Sequence, residues 1–266
     1  MEAATLEPRV GTLLRAWRGR RSLSQLELSL ESRISARHLS FVETGRSKPS
    51  RETVIRLAET LQVPLRERNA LLLAAGYAPV YPERAFGSEE MATIHAALDR
   101  FLRAHEPYPA LVVDRRHNLL AANDALSTLT EDCAPQLLEQ PANAIRIALH
   151  PEGMAPRTVN LAEWSSHLLT RLRREAAITG DRELEALYEE VAAYPGVVAT
   201  AAADSSPAGD LAAPLRIRDG EQELSFISTI ATFGTAIDIT LAELSVEAFY
   251  PANAGTAMRM MGEVSS

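Results

Sequence analysis

Residues 23–50 combine short apolar spacings with polar side chains suited to contact with a nucleic acid. Ser24 and Gln25 stand at the start of a predicted short helix, where free N–H groups and the helix dipole favour a phosphate. Ser35 is predicted to cap a second short helix, whose apolar positions at i and i+3 face a core. The order of helix, tight turn and polar helix indicates a helix-turn-helix, in which the second helix enters the major groove of DNA.

The second predicted helix supplies the side chains that would choose a DNA sequence. Arg37 is placed for a bidentate contact with guanine, and Phe41 for apolar contact with a thymine methyl group. His38 has a structural place at the edge of the groove as an equal alternative, and Glu43 is interpreted as a buried hydrogen-bonding partner. Basic residues outside this helix, such as Lys48, are expected to contact phosphates, which adds affinity but little sequence choice. The predicted DNA-binding residues are Arg21, Ser24, Gln25, Ser35, Ala36, Arg37, His38, Ser40, Phe41, Arg46 and Lys48.

Segments on both sides of this motif predict further helices. Apolar residues recur at i, i+3, i+4 and i+7 before the motif and again after it. Leu26 and Leu30 share one face of the first motif helix, and Arg33 stands in the turn where glycine is common. Residues 1–76 are therefore predicted to form an all-α, five-helix domain of the lambda-repressor type. A helical bundle without a nucleic-acid role is the alternative, which the order of caps, turn and polar helix disfavours.

Charge is distributed unevenly along the 266 residues, a length that suits two domains. Residues 1–75 hold 13 Lys+Arg against 8 Asp+Glu, whereas the remainder holds 14 against 27. A basic head on an acidic body suits a phosphate-binding module joined to one that does not bind phosphate. Cys133 is the only cysteine, so no internal disulfide is expected. With no signal peptide and no long apolar run, the sequence predicts a cytoplasmic protein without contact to a membrane.

The rest of the chain is predicted to form an α+β domain over residues 89–266, after a connector at residues 77–88. Strands are expected near residues 110–114 and 119–122, with Asn123 capping a short helix. Asp219-Gly220 joins two later strand-like runs and is a strong hairpin signal. A loop is expected over residues 199–213. The expected architecture is an antiparallel sheet with helices against it.

Long runs of this sequence resemble a known bacterial family. The run RHLSFVETGRSKPS resembles the XRE family of helix-turn-helix regulators. The runs VVDRRHNLLAAN, NAIRIALHPEGMAP, NLAEWSSHLLTRLRRE and LSFISTIATFGTAIDITLAELSVEAFYP resemble the MmyB-like ligand-binding domain. The resemblance covers about residues 9–257. It implies a transcription regulator whose second domain has a PAS-like fold and binds an apolar, fatty-acid-like ligand.

The second domain contains residues that could form such a pocket. Aromatic and aliphatic side chains on a sheet and a covering helix could line it, and basic side chains could meet a carboxylate, because a buried charge needs a partner. The alternative is that the aromatics fill the core and the basic groups hold the HPEGMAP loop. The predicted ligand-binding residues are Arg146, His150, Trp164, Leu168, Arg171, Phe226, Ile230 and Phe233.

Other functional classes are disfavoured by the sequence. No glycine-rich phosphate loop, HExxH, GxSxG or paired CxxC motif is present, so neither catalysis, a metal site nor a cofactor is predicted. The second domain could instead serve only for dimerisation or protein docking, which would require an exposed apolar patch in place of a cavity. The predicted partners are a double-stranded DNA operator, a small apolar ligand and a second copy of the chain in a homodimer.

Overall fold

The computed structural model describes residues 10–199 and 213–263, and the chain divides into two compact units. The first unit contains the described chain up to Arg84 together with Ala236–Ala242. The second contains Ala85–Thr235 and the chain from Glu243 onward. The division after Arg84 therefore falls inside the predicted connector. The predicted loop over residues 199–213 lies almost wholly outside the described residues.

Five α-helices form the main part of the first unit among its described residues. They are α1 (Val10–Arg20), α2 (Gln25–Ser32), α3 (Ala36–Glu43), α4 (Arg51–Thr60) and α5 (Leu65–Ala74). Their apolar stripes meet in one core, as the helical spacing predicted. Its most deeply buried members include Leu14, Trp17, Leu28, Leu39, Val42, Val54, Leu57 and Leu61.

The face of α2 that packs on the core is not the one that carries Leu26 and Leu30. Leu26 and Leu30 do share a face, but their side chains are 63% and 70% exposed. Leu28 is buried instead, together with Ser29 and Ser32. Ser32 Oγ donates to the carbonyl of Leu28 at 2.6 Å, so a polar residue is accommodated on the inner face of the helix.

The caps and the turn of the motif explain why two such short helices are held in place. Ser24 Oγ accepts from Glu27 N at 3.2 Å, and Glu27 Oε2 accepts from Ser24 N at 2.7 Å, which is a complete capping box. Ser35 Oγ accepts from His38 N at 3.2 Å. Between the helices Arg33 adopts φ 55° and ψ 35°, the left-handed conformation that glycine adopts most readily. The turn is therefore made without glycine.

The chain that follows α5 is fastened to that helix. Asn69 Oδ1 accepts from the backbone N–H groups of Val80 and Tyr81 at 2.9 and 3.1 Å, and Asn69 Nδ2 donates to the Tyr81 carbonyl at 2.7 Å. Tyr77 Oη donates to the carbonyl of Pro49 at 3.0 Å. The first half of the connector thus belongs to the folded bundle and is not a loose tether.

The second unit is α+β and PAS-like, as the sequence predicted. Its helices are α6 (Ala92–Ala104), α7 (Ser127–Thr130), α8 (Pro135–Leu138), α9 (Ala144–Leu149), α10 (Leu161–Thr179), α11 (Arg182–Ala192) and α13 (Ala254–Glu263), while α12 (Ile239–Ala242) lies in the first unit. Its strands are β1 (Ala110–Val113), β2 (Leu119–Ala122), β3 (Leu215–Asp219), β4 (Gln222–Thr232) and β5 (Ser245–Pro251).

The strands form one antiparallel sheet in the order β2-β1-β5-β4-β3. The hairpin predicted at Asp219-Gly220 joins β3 to β4, with Asp219 opposite Gln222 and Gly220 at φ 57°. On β5, Glu247 and Phe249 point to one face of the sheet, because side chains alternate along a strand. Helices α9, α10 and α11 contact one another and contribute to the main core with the sheet.

Two asparagines that precede helices bind the backbone of other elements, and Asn123, expected to cap a short helix, makes no capping hydrogen bond with its side chain. Asn123 is buried; its Oδ1 accepts from Ala110 N at 2.9 Å, and its Nδ2 donates to the carbonyls of Leu102 and Tyr108. It therefore joins α6 to β1. Asn160 precedes α10, but its Nδ2 donates to Glu163 and to the Pro214 carbonyl, and its Oδ1 accepts from Arg216 N at 3.1 Å. It thereby joins the start of α10 to β3.

Candidate functional site

The exposed side of α3 carries the polar groups expected to face DNA. Ala36 and Arg37 are exposed, whereas His38, Ser40 and Phe41 are half-buried. The Arg37 guanidinium lies 5.5 Å from the centre of the Phe41 ring, within cation–π distance. This contact orients the arginine while leaving its donors exposed at the helix surface.

Beneath that surface, Glu43 joins three helices through one buried carboxylate. Its side chain is 1% exposed, and it accepts from Arg18 Nε and Nη2 at 2.7 and 2.9 Å. It also accepts from Gln25 Nε2 at 2.7 Å. Burial alone would raise the pKa of Glu43, but the hydrogen bonds from Arg18 and Gln25 outweigh it and lower that pKa. The predicted role of Glu43 as a buried hydrogen-bonding partner is confirmed.

Two of the predicted phosphate-contacting side chains, those of Gln25 and Arg21, are already hydrogen-bonded within the bundle. The Gln25 amide is held by Glu43, so the N-terminus of α2 offers an anion its backbone N–H groups and not this side chain. Arg21 donates to the carbonyls of Leu61 and Gln62 at 2.9 and 3.0 Å, just beyond the end of α4. Arg21 therefore satisfies free carbonyls of the bundle.

The remaining predicted residues differ in their availability to DNA. The hydroxyls of Ser24 and Ser35 already cap their own helices. Arg46 and Lys48 are exposed in the segment after α3, and Lys48 Nζ lies 5.1 Å from the centre of the Tyr77 ring. The exposed basic groups near α3 thus include Arg37, Arg46 and Lys48.

A narrow cavity in the second unit lies between the sheet and its covering helices. Its empty volume is about 560 Å³, including the part open to solvent. The enclosed space is only about 50 Å³, below the roughly 300–1,000 Å³ of formed small-molecule sites, so a ligand of several atoms enters only if lining side chains move. The lining is mostly aliphatic, with Leu111, Ile145, Ile147, Met154, Leu215 and Phe249 among its members.

One part of the cavity lining is polar. Trp164 and Arg171 of α10 and Glu247 of β5 line the cavity with Leu168, which lies between the first two along α10. Trp164 Nε1 and two nitrogens of Arg171, Nε and Nη1, are buried and lack a hydrogen-bond acceptor within the described chain. Buried donors without acceptors are costly, so these groups favour a ligand that brings an acceptor oxygen.

Arg171 is nevertheless close to two carboxylates. Its Nη2 lies 3.5 Å from Glu247 Oε2, and its Nε lies 3.9 Å from Glu175 Oε1. Glu175 is in turn bonded to His117 Nε2 at 2.8 Å. Burial alone would raise the pKa of Glu175, but the His117 hydrogen bond and the nearby positive charges lower it.

The other basic residues predicted to bind ligand lie elsewhere in the second unit. Arg146 forms a two-fold ion pair with Glu190, with both N–O distances 2.7 Å. Tyr194 Oη also donates to Glu190, and burial followed by that hydrogen bond raises the pKa of Tyr194 to about 12. His150 Nδ1 accepts from Glu152 N at 3.0 Å and so holds the HPEGMAP loop, the structural alternative considered for it.

The three predicted residues on or beside β4 also lie outside the cavity lining. Phe226 is fully buried in the main core, with its ring 6.4 Å from that of Phe249. Ile230 is exposed on the second half of β4, and Phe233 is half-buried just after that strand. Trp164, Leu168 and Arg171 are thus the predicted ligand-binding residues that line the cavity.

Part of the lining comes from α9, a helix that the sequence pattern did not reveal. Leu129 lies on α7, within the short helix expected after Asn123, whereas Ile145, Ile147 and Ala148 lie on α9. Helix α9 has six residues, too few for an apolar repeat to be recognised. The one local signal was Asn143, whose Oδ1 accepts from Ile145 N and Arg146 N as the cap of α9.

Comparison with protein families relates both units to known domains. Residues 14–68 match the helix-turn-helix family, a range that includes the capping box of α2 and all of α3. Residues 94–260 match the MmyB-like transcription regulator ligand binding domain. The chain belongs to the MmyB-like transcription regulators. This MmyB-like protein is therefore a DNA-binding transcription regulator with a ligand-binding domain.

All residues that line the cavity of this MmyB-like regulator fall inside the matched ligand-binding range. No curated protein matches the chain. Within residues 10–199 and 213–263, no helix is long and apolar enough to cross a membrane. The same residues contain no cluster of His, Cys, Asp and Glu suited to a metal ion.

Proposed function

We propose that this regulator senses a small apolar ligand of the fatty-acid type and that the bound ligand changes its affinity for a DNA operator. One observation carries the proposal: an aliphatic cavity in the matched ligand-binding domain contains buried donors without acceptors. With lining side chains displaced, an acyl chain would fill the apolar part, and a carbonyl oxygen would accept from Trp164 and Arg171. The ligand-binding residues under this proposal are Trp164, Leu168 and Arg171.

The proposed mechanism is a shift between two populations of the protein. A ligand can change operator affinity only by binding two conformational states with different affinities. Within the first unit, Arg37, Ser40 and Phe41 would read bases, while Arg46 and Lys48 would hold phosphates. Because it acts on DNA, we place the regulator in the cytoplasm.

We further propose that the regulator is a homodimer on a pseudo-palindromic operator, since helix-turn-helix proteins pair half-sites about one helical turn apart. A patch of exposed apolar groups in the second unit supports a self-contact. Ile227 stands opposite Tyr250 in the sheet, and the Tyr250 ring lies 4.8 Å from that of His105. Phe101 of α6 stacks on the same histidine, and Phe101, Ile227 and Tyr250 are all exposed.

The same patch supports the alternative function, in which the second domain only dimerises or docks another protein. The two functions differ in what they require of the cavity. A sensor must hold a ligand there, whereas a docking module needs only the surface patch.

Native mass spectrometry of the full-length protein, followed by solvent extraction, tests the sensor function. We expect a dimer that carries an apolar acyl compound at one copy per chain. Trp164→Phe keeps an aromatic ring but removes the unpaired N–H group, so it should release most of that compound. A dimer that stays empty when offered extracts of lipids and acyl compounds would favour the docking function.

A further inference from the structure

The charged side chains around the cavity affect which net charge is favourable in the head group of a ligand. Arg171 contributes one positive charge, but Glu247 and Glu175 already lie within 4.0 Å of it. Glu247 itself lines the cavity, and its side chain is 9% exposed. The guanidinium therefore has two carboxylates of the protein beside it before any ligand enters.

The neighbouring histidines act on the two carboxylates unequally. His117 is bonded to Glu175, and both His117 and Arg174 offset that carboxylate and not Glu247. The His167 ring stacks on Trp164 with ring centres 5.7 Å apart. Partial burial, followed by the charge of Arg171, lowers the pKa of His167 and so favours the uncharged ring. An ionised ligand carboxylate at this end of the cavity would lie beside Glu247 and would have to share the Arg171 guanidinium with it.

The hydrogen-bonding groups of the cavity also fit an uncharged carbonyl head group. Trp164 Nε1 and the two unpaired nitrogens of Arg171 require an acceptor oxygen, which an uncharged carbonyl supplies as well as a carboxylate does. Glu247 is an acceptor, so a head group that also carries an N–H or O–H could donate to it. An un-ionised carboxylic acid and a primary amide both provide one acceptor and one donor.

We propose that the cavity selects acyl ligands whose carbonyl head group is uncharged, with Glu247 as the residue that disfavours ionised carboxylates. This inference rests on the proposed function, because it assumes that an acyl ligand occupies the cavity. It names the chemical class as amides or un-ionised acids with an alkyl tail.

The test compares two probes with the same tail on the full-length protein after removal of any bound compound. Decanamide and decanoate are titrated at pH 7.5, where decanoate is ionised, and binding is measured by isothermal titration calorimetry. We expect decanamide to bind at least about tenfold more tightly, which corresponds to one pKa unit of preference for the uncharged form. Glu247→Gln should reduce that ratio at least about fivefold by improving decanoate binding.

Glu223→Gln is the matched control, since it removes the same charge from an exposed residue of β4 outside the cavity lining. It should leave the ratio unchanged. Tighter binding of decanoate than of decanamide by the unmodified protein would overturn the inference while supporting an acyl-ligand sensor, and this comparison does not depend on the folding of any variant. Failure of both probes to bind would count against the sensor function as well.

Discussion

Arg37 is exposed, and its guanidinium is oriented by the Phe41 ring, which suits a side chain that contacts a base. We expect Arg37→Ala to cost about 1–3 kcal/mol on the preferred operator and to relax specificity at one base pair. Fluorescence anisotropy on the operator and on single-base variants measures both effects. Arg56→Ala removes an exposed arginine from α4 and serves as the control for charge alone. An equal loss on operator and random DNA would make Arg37 a phosphate contact.

Glu43 predicts a pH dependence of the first unit. A carboxyl whose pKa is lower in the folded state stabilises the fold above its unfolded pKa, about 4.3, and loses that contribution as the pH falls through the folded value. Glu43→Gln should cost about 1–3 kcal/mol at pH 7 and should make the loss of stability below about pH 4 shallower. Urea unfolding followed by Trp17 fluorescence in a Trp164→Phe background isolates this unit. Parallel pH profiles of the two proteins would contradict the assignment.

At the scale of elements, α1 approaches α3 through a single glycine. A Cβ atom on Gly11 would lie 2.1 Å from the Val42 carbonyl oxygen and 2.9 Å from that of Glu43. Gly11→Ala should therefore separate the two helices, destabilise the first unit by about 1–3 kcal/mol and weaken operator binding. Gly19→Ala is the control on the same helix, because nothing lies within 4 Å of its Cβ position. It should be neutral or stabilising by up to about 1 kcal/mol. Thermal unfolding of both variants measures the difference in stability between them.

The elements themselves were largely predictable, because their signals are local. Ser24 and Glu27 stand three residues apart, and Asp219-Gly220 is a contiguous turn, so both features can be recognised without a fold. The roles of side chains were less predictable when their partners are distant in sequence. Gln25 meets Glu43 18 residues away, and Arg21 meets the Leu61 carbonyl 40 residues away. Such pairs follow from packing and leave no short-range pattern.

At the scale of the whole molecule, the loop between β4 and β5 offers a covalent route between the two units. Ala236–Ala242 belongs to the first unit, whereas the strands on either side of it belong to the second. Ile239 is buried there, its N–H donates to the Pro82 carbonyl at 2.8 Å, and Asp238 pairs with Arg84 at 2.9 Å. Because β5 also lines the cavity, a change at Glu247 has a short path along the chain to this loop.

We expect Ile239→Ala to weaken this attachment and to reduce the effect of the ligand on operator affinity at least about fivefold. Ile237→Ala is the control within the same loop, since its side chain is 76% exposed. Operator affinity is measured with and without the extracted ligand for both variants. An unchanged ligand effect in Ile239→Ala would exclude this loop as the coupling element.

Lys48 is a site at which the protein can be labelled selectively. It is the only lysine in the sequence, and it is exposed after the helix that we propose faces DNA. Reagents that acylate side-chain amines will therefore label this position alone among the side chains. The labelling rate becomes a direct record of operator occupancy, readable by intact mass at any ligand concentration. The same reaction in a cell, enzymatic acetylation, would remove the positive charge that we propose holds a DNA phosphate.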